Sequence, residues 1–511
     1  MAGGRWRIKS LDAVLATAEK KSLYRSLGPV QLTLLGIGGV IGTGIFVLTA
    51  EAAQKAGPGM MMSFVIAGAV SAVAALCYAE LAAMVPVSGS AYTYSYAVLG
   101  ELVAWLVGWA LILEYAVAAS AVSVGWSGYI VGLLAHLPHP IVIPTALAAG
   151  PYAGGVVNLL AVFVALAITV LLVIGTRESA TVNAVLVAIK LLALTAFVWL
   201  ALPVVKSGNF HPFAPLGTSG VISAAASIFF AYVGFDAVST AAEETKDPQR
   251  NLPIGLIGSL AFCTVIYLLV AVGTIGSYGA QPVFGAGGEV LEPGSMALQA
   301  RCGSLAVQPL VCSKEALAHV LRSIHHPLVG NLLGLAAGIA LPTVILMMMF
   351  GQTRIFFVMS RDGLLPEILS RVHPRFRTPH VVTWITGIAV AFAAAFLPVG
   401  ELADISKAGT LFAFAAVSLA VMVLRHTQPE RKRPFRSPAI YLFGSLSVVG
   451  CLVLFIFLPW QAKALFPIWS LAGLVFYYAY GYRHSHVGKG HPEVPELADD
   501  APPGLISDEG K

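Results

Sequence analysis

The chain has 511 residues, of which 58% are hydrophobic and only 11% are charged, and its mean hydropathy is +0.83. Because a soluble domain typically carries about 25% charged residues, this composition excludes a soluble globular protein and indicates one embedded in a lipid bilayer. The net charge of +5 does not indicate nucleic-acid binding, since basic residues do not cluster beside aromatic ones on a soluble face.

About twelve apolar stretches can cross the roughly 30 Å hydrocarbon core of a bilayer. We number them segments one to twelve in chain order. Their predicted ranges are 30–54, 60–85, 101–134, 153–174, 182–204, 219–240, 254–279, 328–358, 381–397, 405–424, 439–459 and 465–482. The sequence therefore predicts an all-α polytopic membrane protein.

Lys and Arg are distributed unevenly between the connecting loops. Threading the segments alternately across a bilayer places about 22 of the 30 Lys and Arg residues on the side of the N-terminus. The loops 361–377 and 425–436 are the richest. The positive-inside rule then predicts a multi-pass protein of the cell membrane with both termini in the cytoplasm.

The membrane part is flanked by two polar ends. Residues 1–27 are predicted to form a cytoplasmic segment with a helix at the membrane surface. The main membrane domain is predicted to span residues 28–425 and to include one large external loop, 280–326. Residues 426–485 hold segments eleven and twelve, and residues 486–511 are predicted to be a disordered cytoplasmic tail.

Segment one contains five glycines in the run GIGGVIGTGIF, from Gly36 to Phe46. Glycine is a poor helix former, so the run predicts a break in the helix near the middle of the membrane. Close helix packing is the alternative interpretation, since Gly38 and Gly42 form a small-xxx-small pair.

Segment six carries a second interruption in SIFFAYVGFDAVSTAAEE, where Gly234 and Asp236 stand inside an apolar stretch. Two interrupted segments that lie five apart indicate an inverted-repeat transporter, with its binding site at the midplane between the two breaks. Segments one to five and six to ten are then the two repeats. The matching breaks favour the binding interpretation of the glycine run over packing alone.

Two ionisable residues lie deep within predicted spans, where each is costly enough to require a reason. Glu114 in segment three is predicted to hold a substrate amino group, line the cavity or brace a broken helix; the alternative is a carboxyl that stays protonated or bonds a neighbouring helix. Lys190 in segment five can switch between ammonium and amine, because desolvation disfavours the charged form. It is predicted to couple protons, the alternative being a static partner for Glu114 or a backbone carbonyl.

Two further charged residues receive a weaker interpretation. Asp236 is an N-cap candidate for the second half of segment six, and substrate contact is the alternative. Lys407 is predicted to lie near the outer end of segment ten and to reach the interface with its long side chain, so it is assigned no role.

Cys302 and Cys312 both fall in the long external loop. A disulfide between them is expected on the oxidising side of the membrane, and two free thiols are the alternative.

The remaining polar residues do not form a catalytic or metal-binding pattern. The twelve histidines fall in loops or near span ends, and the chain lacks an HExxH motif. This distribution argues against a membrane protease, acyltransferase or metal enzyme. A channel is also disfavoured, because no predicted span carries a charged stripe for a continuous pore.

Four motifs stand out along the chain: GIGGVIGTGIFVLTA, LILEYAVAAS, FFAYVGFDAVSTAAEETKDPQRNLPIGLIGSL and FGQTRIFFVMSRDGLLP. They resemble those of the cationic amino acid transporter family, within the amino acid–polyamine–organocation superfamily. The order and spacing of the motifs match those of the family from about Leu27 to the last span. The resemblance implies the five-plus-five inverted repeat of the LeuT type with broken helices in segments one and six, followed by two peripheral helices.

The resemblance also implies roles for individual residues. Backbone amides at the first break would hold the substrate carboxylate, and carbonyls at both breaks its amino group. Lys190 matches a lysine that replaces a sodium ion and suggests proton coupling. The amides implied are those of Ile41, Gly42, Thr43 and Gly44; the carbonyls are those around Ile37, Phe230, Ala231 and Val233, with Phe230 also as an aromatic gate and Glu114 as the acid of segment three.

The predicted function is proton-coupled uptake of an L-amino acid by alternating access, without a cofactor other than the coupling proton. An exchanger is the alternative, and a non-transporting sensor is a further one. Bulky residues around Val344 and Ile345 in segment eight favour a small neutral substrate over a cationic one. The predicted partners are the substrate and the lipid bilayer but not nucleic acid; a small accessory membrane subunit is left open.

Overall fold

The computed structural model describes residues 7–12, 14, 27–87, 89–175, 180–305, 307–376 and 378–490. Within these ranges the chain is helical, with three isolated β-bridges and no β-strand. Eight of the described helices are long and apolar enough to cross a membrane, and four apolar helices are shorter. The predicted all-α polytopic fold is confirmed.

Most segments are continuous helices, because in hydrocarbon the backbone groups must satisfy one another. Segments two to five are Met60–Met84, Glu101–Ala135, Leu159–Ile174 and Ala180–Ala201. Segments seven to twelve are Pro248–Tyr278, Pro327–Arg361, His380–Phe396, Val399–Thr427, Ile440–Ile456 and Trp460–Phe476.

Segments one and six are each divided in two, as predicted. Helix 1a is Pro29–Val40, and helix 1b comprises Thr43–Phe46 and Leu48–Ala56. Helix 6a is Gly217–Ile228, and helix 6b is the 3-10 helix Phe235–Glu244. Segment three packs against segments eight and ten, while helix 1a and segment two pack against segment seven. Helix 1b packs against helix 6a and helix 1a against helix 6b, and the residues at both breaks are buried, so the two broken helices lie inside the bundle.

The long loop between segments seven and eight, which the sequence predicts to be external, folds into the helices Met296–Ser304, Leu310–Cys312 and Ala316–Ser323. Cys302 and Cys312 form a disulfide, which confirms the expected pairing. The loop is attached to helix 1b through Gln54, whose side chain donates to the carbonyl oxygens of Val283 and Leu291, both at 2.8 Å.

The described part of the N-terminal segment lies against protein. Lys9 Nζ is 2.8 Å from Asp362 Oδ1, at the end of segment eight, and Arg7 Nη1 is 3.1 Å from Glu101 Oε1. Leu11 is buried with 3% of its surface exposed. Residues 15–26, which hold most of the predicted surface helix, and residues 491–511 of the predicted tail lie outside the described residues.

The face that carries the N-terminus is held together by Glu80 of segment two. Its carboxylate accepts two hydrogen bonds from Arg425, at 3.1 and 2.5 Å, and one from the amide of Ser437 at 2.8 Å. Arg433 Nε is 3.2 Å from the same carboxylate. Glu80 therefore anchors the loop between segments ten and eleven to segment two.

Replacing Glu80 by Ala should destabilise the protein strongly. Removing one partner of a buried ion pair costs about 3–5 kcal/mol, since the remaining charge stays buried without compensation. The melting temperature of the purified protein in detergent measures the effect. Glu430→Ala removes an exposed carboxylate from the same loop and should change stability by less than about 0.5 kcal/mol; equal melting temperatures for the two variants would contradict this prediction.

Candidate functional site

The break in segment one occurs at Ile41 and Gly42, which separate helices 1a and 1b. Ile41 has φ −75° and ψ 92°, and Gly42 has φ −143° and ψ −151°, so both are extended. The last carbonyls of helix 1a and the first amides of helix 1b therefore lack intrahelical partners. The buried N-terminal end of helix 1b carries the positive end of a helix dipole, which favours an anion.

The break in segment six depends on Gly234. This residue has φ +110°, a conformation that residues with a side chain rarely adopt. Asp236 stabilises the break, because its Oδ1 accepts a hydrogen bond from the Gly234 amide at 3.3 Å while its Oδ2 accepts one from the Tyr115 hydroxyl at 3.1 Å. The carboxylate thus satisfies the backbone of its own segment.

The two breaks lie directly against each other. A Cβ added at Gly44 would stand 2.3 Å from Cα of Ala231, and one added at Gly39 would stand 3.0 Å from the carbonyl oxygen of Gly234. The glycines therefore serve both interpretations of the sequence: they permit the break and they permit the backbones of segments one and six to touch.

Tyr267 of segment seven joins the two breaks. Its hydroxyl oxygen lies 2.8 Å from the carbonyl oxygen of Val40 at the end of helix 1a, and 3.0 Å from that of Ala231 in segment six. A hydroxyl has one proton, so it donates to one of these carbonyls at a time. Both orphan carbonyls share this buried donor.

Lys190 of segment five contacts the same region from the other side. Its ammonium donates to the carbonyl oxygen of Gly38 at 2.8 Å, and only 1% of the residue is exposed. Gly38 lies in the last turn of helix 1a, where carbonyls lack intrahelical partners. Lys190 thus ties segment five to the end of helix 1a.

Glu114 is fully buried on segment three, on the side of segment ten. Its backbone carbonyl accepts from the Ser406 hydroxyl at 3.1 Å, and its Cβ is 3.3 Å from the position that a Cβ on Gly409 would take. Neither carboxyl oxygen has a hydrogen-bond partner among the described residues. The nearby Thr410 hydroxyl donates to the Ser406 carbonyl.

Two cavities adjoin the breaks. We call the smaller one, of about 10 Å³, the central cavity. The larger one, of about 70 Å³, is the vestibule, which lies on the side of the N-terminal segment between helices 1a and 6b and segments five and eight. The central cavity is lined by Gly39, Val40, Gly42, Thr43, Gly44, Ala118, Val122, Phe230, Val233, Val344 and Met348.

The structure brings some of the predicted site residues to the central cavity and leaves others beside it. The lining includes Gly42, Thr43, Gly44, Phe230 and Val233. The residues that are buried but line neither cavity are Ile37, Ile41, Glu114, Ala231 and Ile345.

Sequence reasoning did not assign several residues of this region, among them Ala118, Val122, Met348 and Tyr267. Ala118 and Val122 follow Glu114 by one and two helical turns, and Met348 follows Val344 by one turn, so helical spacing could have identified all three. Tyr267 carried no such signal, because a tyrosine in an apolar span resembles ordinary core packing.

The paired breaks around a central cavity define the architecture of a secondary transporter. Residues 27–479 match the model of the amino acid permease family. The chain is 44% identical over 494 residues to the branched-chain amino acid permease of Bacillus subtilis (strain 168), covering 96% of this chain and 100% of that protein.

Two other relatives extend the comparison. A methylthioribose transporter of the same organism is 42% identical over 487 residues, covering 95% of this chain and 99% of that protein. The vacuolar cationic amino acid transporter 4 of Arabidopsis thaliana is 34% identical over 435 residues, covering 83% of this chain and 67% of that protein. The chain therefore belongs to the amino acid permease family of the amino acid–polyamine–organocation superfamily, and the resemblance to cationic amino acid transporters is confirmed.

Replacing Tyr267 by Phe should destabilise the bundle by about 1–3 kcal/mol, because two buried carbonyls lose their shared donor while the ring stays in place. Tyr232→Phe is the matched control: its hydroxyl donates at 3.1 Å to the carbonyl of Phe64, which lies inside the continuous helix of segment two. The melting temperatures of the Tyr267→Phe and Tyr232→Phe variants in detergent test this prediction. A larger loss for Tyr232→Phe than for Tyr267→Phe would contradict the assignment.

Proposed function

We propose that this protein imports a small neutral L-amino acid together with a proton, by alternating access to the central cavity. The observation that carries the proposal is the pairing of the two helix breaks around a cavity whose side-chain lining is mostly apolar. The breaks offer backbone groups for the two ends common to all amino acids, and the lining sets which side chain is accepted.

The ends of the substrate would be recognised by backbone groups. The amides of Gly42, Thr43 and Gly44 lie at the N-terminus of helix 1b, with Gly42 as its N-cap residue, and a helix N-terminus favours a carboxylate. Carbonyls at the breaks, including that of Val233 beside the cavity, would accept from the amino group. These roles follow the family resemblance.

The side chain of the substrate would face Val122, Val344 and Met348. These residues cannot hydrogen-bond or neutralise a charged side chain, so a long cationic substrate would lose its hydration without compensation. The 44% identity to a branched-chain amino acid permease supports an aliphatic substrate. The 42% identity to a methylthioribose transporter makes an uncharged thiosugar the second candidate.

Helices 1a and 6b are built to move as one unit. At the N-terminal face, the Leu27 amide donates to the Glu244 carbonyl at 3.0 Å, and the Lys246 amide donates to the Leu27 carbonyl at 2.8 Å. At the centre, Tyr267 contacts both breaks. Rocking segments one, two, six and seven against three, four, eight and nine would then widen or close the vestibule.

Lys190 would couple this movement to a proton. When protonated, it would hold helix 1a through the Gly38 carbonyl; when deprotonated, it would release the helix and let the substrate leave through the vestibule. The burial of Lys190 and its hydrogen bond to the end of helix 1a support this role.

The substrate proposal is tested by melting the purified protein with candidate ligands, because a ligand that binds the folded state raises its melting temperature. Leucine, isoleucine, valine and alanine should raise it by several degrees, whereas arginine, lysine and leucine amide should not. A rise with methylthioribose alone would replace the amino acid proposal with the thiosugar. Uptake of the active compounds into proteoliposomes then separates a transporter from a sensor.

Replacing Lys190 by Met should leave the fold intact and reduce uptake driven by an inward pH gradient by about tenfold or more, since a charge-assisted hydrogen bond contributes about 1.5–3 kcal/mol. Lys206→Met, an exposed lysine beyond the end of segment five, should behave as the unmodified protein. Full pH dependence in the Lys190 variant would reject proton coupling through this residue. Uptake that requires amino acid inside the vesicles would favour an exchanger.

A further inference from the structure

Part of the long loop between segments seven and eight forms a small folded unit of its own. We call it the strap; it comprises residues 281–305 and 307–312. Its apolar core is separate from that of the helix bundle and is formed by Val283, Leu291 and Leu298. Cys302 packs against this core, and its disulfide with Cys312 closes the unit on one side.

One arm of the strap is bonded to helix 1b through Gln54. The side-chain nitrogen of Gln54 donates to the carbonyl oxygens of Val283 and Leu291, and its side-chain oxygen accepts from the Val283 amide, each at 2.8 Å. Gln54 is exposed by only 1%, so these hydrogen bonds are shielded from water. The helix Leu310–Cys312 packs against helix 1b as well. The strap and helix 1b therefore hold each other in place.

The other arm of the strap lies at the start of segment four. The helix Met296–Ser304 contacts Pro151–Ala153, which precede that segment. Gln299 Oε1 lies 3.1 Å from the position that a Cβ on Gly154 would take. In the movement proposed above, segment one rocks against a set of segments that includes segment four. The disulfide thus joins an arm on helix 1b to an arm on the opposing set.

The strap depends on its disulfide because its core is small. A folded unit shorter than about 40 residues usually needs a disulfide, a metal ion or a partner, since it buries too little apolar surface. A disulfide stabilises such a unit by restricting the conformations of the opened chain. The bond between Cys302 and Cys312 therefore maintains the positions of the Val283 and Leu291 carbonyls, to which Gln54 donates.

Helix 1b is also held by segment ten, independently of the strap. The prediction that Lys407 reaches the interface is wrong: segment ten begins at Val399, six residues before its predicted start at 405, and none of the Lys407 surface is exposed. Lys407 forms an ion pair with Asp404, whose Oδ2 lies 3.9 Å from Nζ of Lys55 in helix 1b. Loss of the strap should therefore loosen helix 1b without unfolding it.

We propose that the disulfide of the strap is a redox-sensitive site that controls the mobility of helix 1b through Gln54. The inference rests on the alternating access proposed above, in which helix 1b moves relative to segment four. Gln54 is the positioning residue, because it transmits the state of the strap to helix 1b. Opening the disulfide should release the carbonyls that hold Gln54 and let helix 1b move more freely.

The reductant is a small thiol on the side of the loop. Cys302 and Cys312 are both partly exposed, so a small molecule can reach them. One thiolate attacks a sulfur of the disulfide and forms a mixed disulfide, and a second thiolate then releases the protein sulfur. Two electrons and two protons pass to the protein, which gains two cysteine thiols, and the two small thiols become one disulfide.

The test measures hydrogen–deuterium exchange of the protein in nanodiscs by mass spectrometry, with and without dithiothreitol. Backbone amides of a folded segment exchange when the segment opens locally, so the rate reports the mobility of helix 1b. Reduction should accelerate exchange of residues 48–56 by about tenfold. Cys302→Ser combined with Cys312→Ser should give the same fast exchange without reductant, and dithiothreitol should not change it further.

Gln54→Ala distinguishes transmission through Gln54 from a general loss of stability. It should accelerate exchange of residues 48–56 by about tenfold and leave residues 296–304 unchanged, because the disulfide stays closed. Dithiothreitol should then accelerate residues 296–304 but not residues 48–56 any further, since two changes along one path of contacts are not additive. Gln308→Ala, an exposed glutamine of the same strap, should behave as the unmodified protein.

Two results would overturn the proposal. One is exchange of residues 48–56 that does not respond to dithiothreitol; the other is a further full acceleration when dithiothreitol is added to Gln54→Ala. If Gln54→Ala does not fold, Gln54→Met keeps the length of the side chain, removes its hydrogen bonds and gives the same comparison. Because hydrogen exchange needs no substrate, its outcome is independent of which compound is transported.

Discussion

Backbone hydrogen bonding in a medium without water is the constraint on which the rest of this structure depends. Ten segments satisfy it as continuous helices. Segments one and six do not, and each leaves carbonyls and amides without a partner in its own helix. The polar side chains around the breaks compensate: Tyr267 and Lys190 donate to carbonyls of segments one and six, and Asp236 accepts from the Gly234 amide.

This constraint explains why few polar side chains line the central cavity. Asp236 and Lys190 serve the backbone first, and Glu114 lies toward segment ten. What remains for a ligand is the backbone of the breaks and a mostly apolar lining that includes Val122, Val344 and Met348. In the proposed function, such a site would distinguish substrates by the size and polarity of one side chain, while the ends of the molecule would be recognised independently of it.

Much of this arrangement follows from the sequence. The glycines from Gly36 onward and Gly234 reveal the breaks, because glycine in a membrane span is otherwise unfavourable. The depth of Lys190 in its span reveals a buried amine. Individual contacts are harder to predict from the sequence, because the rotation of a helix decides whether a residue such as Glu114 points at the cavity or at a neighbouring helix. For Lys407, an error of six residues at one helix end changed an interfacial lysine into a buried one.

The most direct measurement of the central claim is a cryo-EM map of the protein in lipid nanodiscs with leucine at saturating concentration. The account predicts interrupted helices in segments one and six, with ligand density between them and its carboxylate within hydrogen-bonding distance of the amides of Gly42, Thr43 and Gly44. Continuous helices through the middle of the membrane, or leucine bound away from both breaks, would contradict it.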